Sequence, residues 1–289
     1  MFSALKFSWW RLTHPQRDRV RRDIISLAKS SGLAARDRDV QEIIGYLRAH
    51  PLHVFPYDFV ANYRESEHPA FFDAAAGLHY VEHGEKRLYW REGRKAKRLP
   101  GDYTGLLAEQ DERSPHRYLV AGFEVKPGDI VADVGCAEGN FSLEIVERAA
   151  HVYLFEADAR WIKALETTFR PWKEKVTIVQ SLVGRELGEG MITLDDYFAD
   201  RPAPTFLKLD VEGYEADVLH GARATIERAS GVRAAVCTYH RQADEANLAT
   251  LLTELGFSHD VSSGYMLLYR AASFGPPYFR RALLRASKG

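Results

Sequence analysis

Cysteine is almost missing from this 289-residue chain. Only Cys136 and Cys237 occur, so no disulfide framework holds the fold. The first falls in a turn after one expected strand and the second in another strand, with a third strand expected between them. A bridge is therefore not expected, and both read as small buried apolar residues. No stretch approaches about 18 uninterrupted apolar residues, which argues against a bilayer-spanning helix. The opening MFSALKFSWWRL lacks the apolar core and small-residue cleavage site of a secretory leader, so the expected location is the cytoplasm. Internal repeats and low-complexity tracts are missing as well.

What is present is enough apolar residue, 46%, to bury a real core in one large domain or one domain with an extension. The net charge of −1 is unevenly spread. Residues 1–50 hold ten Lys and Arg against five Asp and Glu, residues 271–289 hold four against none, and the 220 between carry −10. Such basic ends suit a phosphorylated glycan, a lipid surface or another subunit, and a merely solvated face is the commoner explanation.

Val20, Ile24, Ile25, Leu27 and Ala28 recur at helical spacing, as do Val40, Ile43, Ile44 and Leu47. Ahead of this helical pair, Phe7, Trp9, Trp10 and Leu12 lie among Lys6 and Arg11, a pattern suited to a membrane interface or to packing on the protein itself. GLHYVEHGEKRLYWREG alternates around His83-Gly84-Glu85 as a β-hairpin does. Within it HYVEH matches a metal pattern that works only on a helix, and the alternation places it on a strand. No metal site is expected. From Gly128 onward strands are expected at 130–134, 151–155, 176–180, 205–210, 232–239, 257–261 and 265–269. Helices between them imply an α/β fold, a mainly parallel sheet covered on both faces.

Three stretches in order describe a pocket for a nucleoside-bearing cofactor. In DVGCAEGN, an apolar strand runs through Gly135 and Gly139 into a helix, and glycines there let backbone approach a ligand. The strand Val152–Phe155 ends on Glu156, placed about 20 residues beyond the turn, as a ribose-binding acid is. A dinucleotide needs a glycine triplet, and Ala137 and Glu138 stand in its place. Glu138 would repel a pyrophosphate. Negative charge from Asp133 and Glu138 suits instead the sulfonium and amino group of S-adenosylmethionine (SAM). The third stretch, FLKLDVEGYE, puts Asp210, Glu212 and Glu215 at a strand tip. They suit steadying the methionine part of SAM, orienting a substrate hydroxyl or holding a divalent ion, or they simply start a helix. His240 closes the strand VRAAVCTY, where it can take a proton from an alcohol. EQDERSPHRYL (109–119) is expected as a loop over the pocket mouth, with His116 and Arg117 contacting SAM or substrate.

DVGCAEGN, FEAD, TLDDYF, LKLDVEGYEADVLHGA and TYHRQADE together resemble the FkbM family of SAM-dependent methyltransferases, over about residues 109–269. The resemblance implies a class I methyltransferase, Rossmann-like fold of seven strands with the last antiparallel. It also implies methyl transfer to a hydroxyl oxygen of a sugar, glycan or natural product. Carried over, Asp133, Gly135 and Gly139 match the cofactor turn, Glu138 and Asn140 are expected to bind the cofactor there although they depart from a plain glycine-rich turn, Glu156 and Ala157 meet the ribose, and Ser181 and Leu182 lie beside adenine. Asp210 belongs to both cofactor and catalysis, and His240 is the base. Glu212, Tyr239, His116 and Arg117 are expected to meet substrate. The expected division is a helical and hairpin extension at 1–108, the methyltransferase domain at 109–270 and a basic tail at 271–289. A homodimer and peripheral membrane contact fit the extension, and no nucleic-acid partner is expected. A catalytically inactive binding module for glycans is the alternative, and a nicotinamide oxidoreductase is a third.

Overall fold

The computed structural model describes residues 4–269 and 276–289. They form two units. A helical unit comprises the described residues up to Tyr63, Leu107–Arg117 and the described part of Ser262–Ala282. A sheet unit comprises Arg64–Leu106, Tyr118–Val261 and Leu283–Gly289.

In the helical unit, Pro15–Ser30 and Arg38–Ala49 are the expected helical pair. Ile24, Ala28, Val40, Ile43, Ile44 and Leu47 close a core that also takes in Trp10 from the preceding helix, Ala4–Thr13. Asp37 caps the second of the pair by accepting from the backbone N–H of Asp39 and Val40, as an N-cap carboxylate does.

The sheet unit starts with a small antiparallel sheet of β1 (Phe71–Asp73), β2 (Leu78–His83) and β3 (Lys86–Tyr89). The expected hairpin turns at Gly84, whose φ of 61° suits glycine. HYVEH lies on β2, and His83 Nδ1 is 3.0 Å from the Tyr103 hydroxyl. Leu78 and Tyr89 pack on Ala164 of the helix Ala159–Phe169, so this part of the expected extension folds with the sheet.

The main strands are β4 (Ile130–Val134), β5 (His151–Phe155), β6 (Val176–Val179), β9 (Phe206–Leu209), β10 (Val232–Cys237), β11 (Ser258–Val261) and β14 (Leu283–Lys288). Between β6 and β9, Leu182–Val183 (β7) and Met191–Ile192 (β8) form a short parallel pair. The sheet order is β11-β14-β10-β9-β4-β5-β6. The five strands from β10 to β6 run parallel, and β14 is antiparallel to both its neighbours. This is the class I methyltransferase arrangement. Every residue of β9 and β10 is buried, as expected of strands covered on both faces.

One strand lies elsewhere than its sequence pattern indicates. Within the expected strand 265–269, Met266–Leu267 (β12) pairs with Phe279–Arg280 (β13) in the helical unit. The seventh strand is β14, inside the expected basic tail. Its Leu283, Leu284 and Ala286 are buried, and their spacing in LLRASK is a weaker signal than the apolar run YMLLY. Cys136 and Cys237 are both buried, and neither is in a disulfide. Among the described residues no helix is long and apolar enough to cross a membrane.

Candidate functional site

The turn after β4 can exist only with glycine at its first corner. Gly135 has φ of 76°, and a Cβ there would stand 2.0 Å from the Asp210 carbonyl oxygen, far inside van der Waals contact. The chain leaving β4 thus lies directly against the chain leaving β9. At the far corner Gly139, with φ of 81°, precedes the helix Asn140–Ile145, and a Cβ there would press on Phe169 at 2.8 Å. Ala137 between them also has positive φ, 47°, a conformation a non-glycine residue adopts at a cost.

Asp133 does not face a ligand. It is fully buried, with Oδ1 3.0 Å from Lys208 Nζ and Oδ2 accepting from Ser142 Oγ at 2.7 Å. Lys208, buried on β9, also donates to the Gly135 carbonyl at 2.7 Å. Burial opposes its charge, but Asp133 and Asp210 outweigh burial and raise its pKa. The expected attraction of SAM by Asp133 therefore fails, because Lys208 neutralises that carboxylate. Glu138 is buried and Asn140 accepts from the Phe141 N–H. Neither they nor Gly139 are among the residues lining the pocket described next. Burial, reinforced by nearby carboxylates, pushes the Cys136 thiol up, consistent with a small apolar role.

Beyond the carboxyl ends of β4, β5 and β9 opens a pocket of about 450 Å³. Gly135, Ala137, Glu156, Ala157, Asp158, Trp161, Ser181, Leu182, Met191, Asp210, Glu212 and Tyr214 lie on its wall. Glu156 Oε2 accepts from the Ala137 N–H at 2.9 Å and Oε1 from the Asp158 N–H at 2.8 Å. The carboxylate is thus held in place, and each oxygen keeps a lone pair for a further donor. Asp158 caps the next helix and bonds Arg160, with Arg91 adding its charge, which brings its pKa to about 2. The pocket's negative charge comes from Glu156, Asp158, Asp210 and Glu212.

Asp210 and His240 meet at the open end of β9. Tyr118 donates to Asp210 Oδ2 at 2.8 Å and Tyr239 to Oδ1 at 3.0 Å. His240 Nε2 lies 3.4 Å from Asp210 Oδ1 and 3.7 Å from Glu212 Oε2, while Nδ1 lies 2.9 Å from Glu215 Oε1. The imidazole therefore stands among three carboxylates, Asp210 and Glu212 on the Nε2 side and Glu215 on the Nδ1 side. Burial disfavours its charge, but the Glu215 contact and the charges of Asp210, Glu215 and Glu212 prevail, and its pKa is raised. The His240 side chain is only 5% exposed and sits one layer behind Asp210. Glu212 has φ of 53°. The strand has already ended there, so the expected extended pairing of Asp210 with Glu212 is replaced by a turn that still brings both to the pocket.

His116 and Arg117 belong to the helical unit. His116 is fully buried, its Nδ1 3.2 Å from Glu109 Oε1 and its carbonyl accepting from Gln110 at 3.1 Å. A larger groove of about 710 Å³ lies between the hairpin and the helix end near Trp172. It contains neither the glycine turn nor Glu156.

Residues 124–259 match the model of the methyltransferase FkbM domain. This chain carries an FkbM methyltransferase domain. No curated protein matches the chain by sequence. Among solved structures, the methyltransferase FkbM of Methylobacillus flagellatus KT is 16% identical, with a TM-score of 0.47 over 66% of this chain and 59% of that one. The chain thus spans less than two thirds of that protein. Magnesium protoporphyrin IX methyltransferase of Synechocystis PCC 6803 with bound SAM is also 16% identical, with a TM-score of 0.42 over 68% of this chain and 86% of that one.

Within the FkbM domain, sequence reasoning overlooked Lys208, Trp161, Met191 and Tyr214. Lys208 carried a signal, since a lysine inside the apolar strand FLKL requires a buried partner. Trp161 sits three residues after the Asp158 cap, where the first turn of the helix returns to the strand tips.

Proposed function

We propose that the FkbM domain transfers the methyl group of SAM to a hydroxyl oxygen of a sugar, glycan or related natural product. The observation that carries this reading is the Asp210–His240–Glu215 arrangement beside a pocket that also holds Glu156. The pocket suits SAM by a test of fit: Gly135 and Ala137 form part of its wall, and the held carboxylate of Glu156 keeps lone pairs for two ribose hydroxyls. Trp161, Leu182 and Met191 supply apolar surface for the base.

When bound, SAM would supply a methyl group made electrophilic by its sulfonium, with S-adenosylhomocysteine as the leaving group, and Glu156 would hold its ribose. The chain's own residues handle the proton. Asp210 lies on the pocket wall, fixed by two tyrosine hydroxyls, and accepts the acceptor's O–H. His240 receives that proton at Nε2 through Asp210. Glu215 Oε1, 2.9 Å from Nδ1, favours the proton on that nitrogen, which leaves Nε2 as the accepting nitrogen. A raised pKa strengthens the imidazole as a base. Alignment of donor and acceptor contributes more than the base does, about 7–11 kcal/mol for well-oriented reactions.

The test is His240→Ala, assayed by methyl transfer to a panel of hydroxylated acceptors. Turnover is expected to fall about a hundredfold or more, with SAM affinity by calorimetry unchanged. Unchanged turnover removes His240 from the mechanism, and failure of the unsubstituted protein to bind SAM removes the whole reading.

A further inference from the structure

The helix Ala4–Thr13 is apolar on two sides. Phe7 and Trp10 turn inward, stacked with ring centroids 6.1 Å apart and packed on the core of the helical unit. Trp9 and Leu12, one turn apart on another face, are 66% and 80% exposed. Among the described residues nothing covers this second face.

The surroundings of that face are cationic. Asp18 is approached by three guanidiniums at once: Arg21 at 2.8 Å, Arg22 at 3.4 Å and Arg11 at 3.5 Å. One carboxylate cannot neutralise three, and the side chains of Arg11 and Arg22 are 49% and 62% exposed. Residues 7–30 hold six Lys and Arg against two Asp, with Arg19 and Lys29 also exposed.

We propose that the Trp9–Leu12 face, with the arginines around Asp18, seats the protein on an anionic phospholipid surface. Tryptophan is at home at the headgroup level, where its ring and its N–H are both accommodated. Leucine beside it enters the acyl boundary, and exposed arginines meet lipid phosphates. A second copy of this chain fits the face poorly, because a two-fold contact brings each arginine cluster against its own image. A nucleic acid satisfies the arginines but gives Leu12 nothing apolar to cover it. The proposal stands apart from the methyl-transfer reading.

The experiment is co-sedimentation of the full chain with vesicles of phosphatidylglycerol and phosphatidylcholine, and with phosphatidylcholine vesicles alone. Partition into the anionic vesicles is expected to exceed the neutral ones about tenfold or more, and to fall in about 0.5 M salt. Trp9→Ala/Leu12→Ala is expected to lose about tenfold or more in partition. Both side chains are exposed, so melting and SAM binding should be unchanged and would report a folded variant. Equal binding to neutral vesicles, no binding to anionic ones, or undiminished binding of the double variant overturns the proposal. So does a concentration-dependent dimer, seen without vesicles and lost in that variant, which assigns the face to self-association.

Discussion

Glu215 Oε1 stands 2.9 Å from His240 Nδ1, and the same oxygen accepts from the Val211 N–H at 3.0 Å. Glu215 is 1% exposed at the start of the helix Glu215–His220. One buried carboxylate therefore fixes both the turn after β9 and the ring that stands behind Asp210. Glu215→Gln keeps an acceptor for the backbone but not the charge beside the imidazole. Turnover is expected to fall on the order of tenfold to a hundredfold. The acidic limb of the rate against pH should also move to lower pH, as His240 loses a cause of its raised pKa. A purely structural role would lower Tm and leave that limb in place.

The same shift has a sign for stability. Because the folded-state pKa of His240 is raised above its ordinary 6.5, its contribution is complete below about pH 6.5. It is lost as pH rises through the raised value. The difference in Tm between the unsubstituted protein and His240→Asn should therefore shrink on going from pH 6 toward alkaline pH. Melting curves across that window check it, and a difference that grows with pH contradicts it.

Lys208 and Asp133 neutralise each other inside the sheet, 4% and 0% exposed. Lys208→Met strands the carboxylate, and chemical denaturation should show a loss of about 3–5 kcal/mol. Adding Asp133→Asn should restore part of it. If the double variant is no more stable than the single one, the pair is not the source of the loss.

The parallel strands were legible because each is a short apolar run, and all but β6 lead into Gly135, Glu156, Asp210 or His240. Of the acids that line the pocket, Glu156, Asp210 and Glu212 were legible at or just past the ends of such runs, and Asp158 was not. What stayed hidden was pairing between distant segments. Asp133 reads as a ligand-facing acid until Lys208, 75 residues on, is seen to reach it. His240 reads as facing the ligand until the side-chain positions put Asp210 in front of it. β14 was hidden because LLRASK looks like a charged tail, and only its place between β10 and β11 explains why Leu283, Leu284 and Ala286 are buried.

Cofactor binding in this pocket depends most on a ribose diol held by Glu156. Isothermal calorimetry of SAM with the unsubstituted protein and with Glu156→Gln tests it directly, with a melting curve to confirm folding. A charged acceptor of two hydroxyls contributes about 1.5–3 kcal/mol, so affinity is expected to fall about tenfold to a hundredfold. Equal affinity in a folded variant would contradict the placement of SAM in this pocket.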